Sequence, residues 1–180
     1  LPDVALIALG ALMKQSVSTL TIPAQELLNI LGLLGKKLGG SRTIAIMASM
    51  YRALMKHFGL EIREWDAKEG HHWDSAIAGS SSLRAAILRA LQCENATARG
   101  DKTGHLLWDM KQFYDSVHLP TLAVELSKRG YPMHLFILGF LAHACPRVLR
   151  VGKCMGPTII DCGNSMVAGC QQAVSFARGL

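Results

Sequence analysis

Apolar positions recur along this chain with two periods, and the change from one to the other marks most of its elements. "RTIAIM" alternates as a strand does and leads into a helix from about Ser49, with Met50, Leu54, Phe58, Ile62 and Trp65 spaced along one face. A leucine-rich segment and a Lys/Gly loop, Lys36 to Gly40, precede that strand. The serines of "AGSSS" are candidate N-caps for a second helix, whose stripe is Leu83, Ala86, Ile87, Ala90 and Leu91. "ENATARGDKTG" reads as a polar turn, and "HLLWDM" as a short strand bounded by Gly104. "LPTLAVELSKRG" has the start and stop signals of one helix: Pro120 early, Lys128 and Arg129 late, Gly130 after them. "YPMHLFILGFLAHA" supplies another helix, "RVLRVG" and "PTIIDCG" a strand pair around "KCMG", and "NSMVAGCQQAVSFARGL" a loop running into a last helix. The order predicts an α+β fold, not a regular βαβ alternation.

Half of the 180 residues are hydrophobic, enough for one domain with a core or a piece of a larger one. No repeat or low-complexity tract interrupts them. The opening "VALIALGALM" and the later "HLFILGFLAHA" are too short to span a bilayer, so no membrane segment is expected. A formal charge of +6 leans toward a polyanionic partner. Its distribution sharpens the point: Lys36, Lys37, Arg42, Arg52 and Lys56 fall in one stretch that holds no acid. Five cysteines without a C-x-x-C pair suggest neither a disulfide framework nor a zinc site, and a reducing intracellular setting, nucleus or cytoplasm, fits them. The histidines, His71-His72 included, read as surface or packing residues.

Candidate chemistry gathers in "GHLLWDMKQFYDSVHLP". An apolar run ends on Asp109, and Asp115 follows six residues later behind an aromatic pair. A charged carboxylate at the end of a buried strand is costly unless something pairs with it. A divalent cation is one such partner, because Mg²⁺ keeps several waters and takes one or two protein carboxylates. A turn cap is the plainer alternative for the same residue.

"WDMKQFYDSV" resembles the first catalytic motif of reverse transcriptases of the non-LTR retrotransposon and group II intron type. The order on either side is similar as well. "KKLGGSRTIAIMASMYRALMK" looks like the fingers segment, "WDSAIAGSSSLRAAILRAL" like the block after it, and "GNSMVAGCQQAVSFA" sits where the family has its second palm motif. The resemblance covers about residues 20 to 180. It implies the fingers and the first part of the palm of a right-hand polymerase, about 1–100 and 101–180 within one partial domain. The implied reaction is RNA-templated addition of deoxynucleotides to a primer 3′-hydroxyl, with Mg²⁺ or Mn²⁺ as cofactor. RNA template, DNA primer and deoxynucleoside triphosphates are the implied partners. Carried over by position, Asp109 would be the catalytic metal ligand, joined by the backbone carbonyl of Met110. Tyr114 would pack under the incoming sugar and exclude a 2′-hydroxyl. Arg42, with Lys36 or Lys37, would neutralise the triphosphate, and Gly169 would let backbone approach the template base pair.

The sequence departs from that pattern in places. The family's Gln-Gly pair reads Ala168-Gly169, its Arg-Pro-Ile core reads "RTI", and the aromatic-x-Asp-Asp hairpin that completes the two-metal site does not occur before Leu180. The chain is therefore expected to be truncated before its second carboxylate motif, inactive alone, and poorly soluble, with an open edge beside the Asp109 strand. Three other readings stay open. One is a degenerate retroelement remnant that only binds nucleic acid. Another is an unrelated metal-dependent phosphohydrolase using Asp109 and Asp115, and the third is a helical interaction domain.

Overall fold

The computed structural model describes residues 2–180 except 38, 78, 161 and 163, and at residue 42 the backbone only. It is a mixed α+β arrangement in which helices form the core and one sheet is attached to it. Helix α1 (Asp3–Thr19) leads to a 3₁₀ turn (Ala24–Glu26) and the hairpin β1 (Asn29–Gly35) and β2 (Ser41–Ile46). Helices α2 (Ser49–His57), α3 (Gly59–Glu69), α4 (Ser82–Ala98), the one-turn α5 (Phe113–Ser116), α6 (Leu119–Lys128) and α7 (Met133–Ala144) follow. The hairpin β3 (Arg147–Val151) and β4 (Cys154–Ile159) and the short α8 (Ala173–Arg178) complete the order. Among the described residues no helix is long and apolar enough to cross a membrane.

The leucine-rich segment before the Lys/Gly loop is strand β1, which pairs antiparallel with β2 on one side and parallel with β3 on the other. The sheet order is β2-β1-β3-β4, so it joins strands from both sides of residue 100. β4 is exposed along its length, and most of the sheet's apolar side chains, Leu34, Ile44, Ile46 and Met155 among them, stay open to solvent. Where the sheet does meet the helices, Val148 is buried and Asn29 donates from Nδ2 to the Ala142 carbonyl at 2.7 Å.

The core follows the periodicity read in the sequence. Met50, Tyr51, Leu54 and Met55 of α2, Ile62 and Trp65 of α3, and Leu119, Leu122 and Leu126 of α6 are buried. The expected long helix from Ser49 is broken at Phe58, where α3 starts anew at Gly59. Helix α6 ends as its Lys-Arg-Gly stop signal predicts. Gly130 takes φ +65°, its N–H donates to the Ser127 carbonyl, and the Tyr131 N–H reaches back to the Leu126 carbonyl, a Schellman closure. Tyr131 then stacks edge-on against Trp65 and Phe176, tying α3 and α8 to that turn. Helix α7 is apolar on nearly every side because it runs through the middle of the core. At Gly139 an added Cβ would overlap the Gln172 side chain and the Phe176 ring, so α8 and the residue before it approach the α7 backbone directly.

Two expectations fail around residue 100. "ENATARGDKTG" is not a turn throughout, since α4 continues to Ala98 before the chain turns at Gly100. "HLLWDM" is not a strand: residues 101–110 belong to no helix or strand and are exposed, with Trp108 84 % accessible. A strand needs a hydrogen-bonded neighbour, and this segment has none among the described residues. The α4 stripe also fails as a core face. Ser81 caps the helix as expected, accepting from the Arg84 N–H, yet Leu83, Ile87 and Leu91 face solvent.

Candidate functional site

Tyr114, Gly169 and the strand that carries Arg42 are brought together by one loop, residues 164–170, stitched to elements distant in sequence. Ser165 N–H donates to the Val117 carbonyl and Met166 N–H to the Tyr114 carbonyl, at 2.9 and 2.7 Å. A bridge between His118 and Asn164 extends this antiparallel contact. At its other end the loop accepts from β2, where the Ala45 N–H reaches the Ala168 carbonyl at 3.3 Å. The next residue, Gly169, takes φ +102°, a conformation that strains any residue with a Cβ, and that added Cβ would lie 3.5 Å from the Ala45 carbonyl. A single loop thus links α5, which carries Tyr114, to the strand that carries Arg42.

Beneath the loop lies a buried polar support. The Val167 N–H donates to His143 Nδ1 at 2.7 Å, so the neutral ring carries its proton on Nε2. Arg147 reaches the His143 and Ser165 carbonyls, at 2.8 and 3.1 Å, and the Ser165 hydroxyl. Burial, with the Arg147 charge adding to it, pushes the His143 pKa down to about 3. Nearby, the Tyr51 hydroxyl donates to Gln172 Oε1 at 3.1 Å and contacts Cys170 Sγ, while Gln172 Nε2 donates to the Leu135 carbonyl. The loop's position is therefore set from the core side by three polar side chains.

Tyr114 is half-buried against the core, edge-on to Phe113, and lines a cavity of about 550 Å³ with Glu69, His71, Trp73, Arg129 and Arg178. Lys36 and Lys37 stand at the exposed turn between β1 and β2, closed by the Lys36 N–H to Gly40 carbonyl bond, and do not line that cavity. Arg42 is on β2 opposite Leu34, and its side chain lies outside the described residues. The cations on the Tyr114 cavity are Arg129 and Arg178, which sequence reasoning passed over. Arg129 had registered only as part of a helix stop. Each has an acidic partner: Glu69 is 3.8 Å from Arg129, while Asp66 and Asp74 both engage Arg178. Burial alone would raise the Asp74 carboxyl. The Arg178 hydrogen bond, the Ala76 N–H and the guanidinium charge together hold it below the usual carboxylate range.

Asp109 stands apart from this assembly, on the exposed segment before α5, with Met110 exposed beside it. Its charge is therefore hydrated, and no partner is needed to offset burial. Asp115 is exposed too, in the single turn of α5. Asp109 and the Met110 carbonyl are hard oxygen donors of the kind Mg²⁺ or Mn²⁺ prefers. Among the described residues, however, no three His, Cys, Asp or Glu side chains converge as ligands. The described residues supply part of such a site and not a whole one.

No protein-family model matches the chain, and a search of curated proteins finds none significantly similar to it.

Proposed function

We propose that the chain is part of a reverse transcriptase domain of the non-LTR retrotransposon or group II intron type, contributing fingers and the first part of the palm. In this reading the Tyr114 side chain sets the width of the sugar pocket, and Gly169 keeps its floor free of side-chain bulk. Arg42, Lys36 and Lys37, all of the β1–β2 hairpin, would neutralise the triphosphate, and Asp109 would contribute one ligand to Mg²⁺. The ion, when bound, would neutralise charge on the transferring phosphates. One observation carries the proposal: the loop Asn164–Cys170 hydrogen-bonds both to Tyr114 and to Ala45, two residues of the β2 and α5 segments that carry the resemblance. Nothing in their spacing along the chain requires that meeting.

Equilibrium binding of dATP and of ATP, with Mn²⁺ and an oligo(rU)-templated DNA primer present, tests the proposal on the chain as it stands. The expected result is a preference for dATP that narrows in Tyr114→Ala, and a metal-dependent component that weakens in Asp109→Ala. Equal binding of the two nucleotides, or a preference indifferent to Tyr114→Ala, would sink it.

The simpler reading, nucleic-acid binding without catalysis, is favoured by one specific observation. Asp109 is solvated and has no convergent acidic neighbours among the described residues, whereas the net charge of +6 would act without any metal. Binding of template and primer with no nucleotide preference would leave this reading in place.

A further inference from the structure

The chain has a second cavity, of about 500 Å³, between residues 71–77 with 79–80 and one face of α4. That face is the one opposite the predicted stripe. Arg84, Leu88, Arg89 and Gln92 line the cavity, while Leu83, Ile87 and Leu91 point away to solvent. Five residues separate Arg84 from Arg89, which puts them about 140° apart around the helix, on the two flanks of the cavity face, and about 7.5 Å apart along its axis. Both are exposed, and neither makes an ion pair among the described residues. The acid on this wall, Asp74, is already engaged by Arg178.

Across from them stands Trp73. It is 67 % exposed, and its ring lies nearly parallel to that of His71, at 5.1 Å between centroids and 14° between planes. Packing into a core does not explain an indole left so open. Trp73 and His71 line this cavity and also the Tyr114 cavity, so the two hollows share a wall and an aromatic stack divides them. A flat, open aromatic face opposite two uncommitted guanidinium groups is the combination that holds a single-stranded nucleic acid. The base stacks on the ring whatever its identity, and the cations take the phosphates. Duplex fits this arrangement poorly, because its bases are already stacked on one another.

We infer that the cleft between Trp73 and α4 is a binding site for single-stranded nucleic acid, with Trp73 as the base platform and Arg84 and Arg89 as phosphate contacts. The inference stands on the cleft alone and does not require the polymerase reading. Were both to hold, a strand bound here would lead toward Tyr114, across the shared wall.

The test is fluorescence anisotropy of the full chain with a fluorescein-labelled 12-nucleotide RNA of mixed sequence, at several salt concentrations. Trp73→Ala is expected to weaken binding about 10-fold, and Trp73→Phe, which keeps a ring, to restore most of it. Arg84→Gln with Arg89→Gln should lower the slope of log affinity against log salt by about 1.4, since each phosphate contact on a single strand contributes about 0.7. Lys14→Gln with Lys68→Gln removes the same charge elsewhere and should leave that slope nearly unchanged. Each position is exposed, so the variants should melt like the parent. The inference is overturned if the parent does not bind the strand. It also fails if Trp73→Ala binds as the parent does, or if the lysine pair flattens the salt dependence as much as the arginine pair. Nucleotide preference is not read in this experiment. Failure here therefore leaves the polymerase proposal standing, and failure of the dATP test leaves this one.

Discussion

Between pH 7.5 and pH 5.0, acidification should destabilise this fold chiefly through His143. The ring is completely buried, its Nδ1 accepts from the Val167 backbone, and its pKa is pushed down to about 3 by burial first and Arg147 second. In the unfolded chain the same ring titrates near ~6.5. Between those values the unfolded state holds the extra proton, so stability falls as pH falls. The contribution is fully present above about pH 7. It is lost at up to about 1.4 kcal/mol per pH unit on the way down toward pH 3, and it stops changing below that. From pH 7.5 to pH 5.0 the loss assigned to His143 is about 2 kcal/mol. The matching variant is His143→Gln, whose side-chain oxygen can still accept from the Val167 N–H but does not titrate. Urea unfolding of parent and variant, followed by circular dichroism at both pH values, isolates the effect, because every other titrating group is common to the two. The parent should lose about 2 kcal/mol more than the variant over that interval. An equal loss in both would show that the ring is protonated in the fold, and the account of the buried support under the Asn164–Cys170 loop would be wrong.

Other perturbations probe other joints. Gly139→Ala should destabilise by about 1–3 kcal/mol, because its methyl group would have to displace Gln172 and Phe176; thermal melts measure it. Tyr51→Phe leaves Gln172 Oε1 without its donor inside the core and should cost about 1–2 kcal/mol in the same melts. Arg178→Met strands the Asp66 and Asp74 carboxylates between α3 and α8. Its expected cost is about 3 kcal/mol, the lower end of the usual range because both acids keep some contact with water, and urea unfolding at neutral pH reads it. Replacing Leu106, Leu107 and Trp108 by Gln should raise the soluble fraction on expression and leave the melting temperature nearly unchanged, since none of the three is buried. A large drop in melting temperature would place those side chains in the core.

What the sequence determined by itself are the features written in local terms. The α2 stripe, the Lys-Arg-Gly stop of α6, the apolar α7, the Ser81 cap and the β3–β4 hairpin depend on residues within a turn or two of one another, where propensity and periodicity act. The α+β class follows from their order. What only the tertiary structure decided are the features that need a distant partner. The segment Asn29–Gly35 is a strand because Arg147–Arg150 and Ser41–Ile46 lie on either side of it, and its leucines and glycines state neither fact. "HLLWDM" has a strand's composition but no neighbour among the described residues to complete its hydrogen bonds, so it stays open to solvent and Asp109 stays in water. The same rule governs α4, whose apolar stripe meets nothing while its arginine face lines a cavity shared with Trp73. Composition records which groups prefer to leave water; whether they do depends on a surface that another part of the chain brings to them.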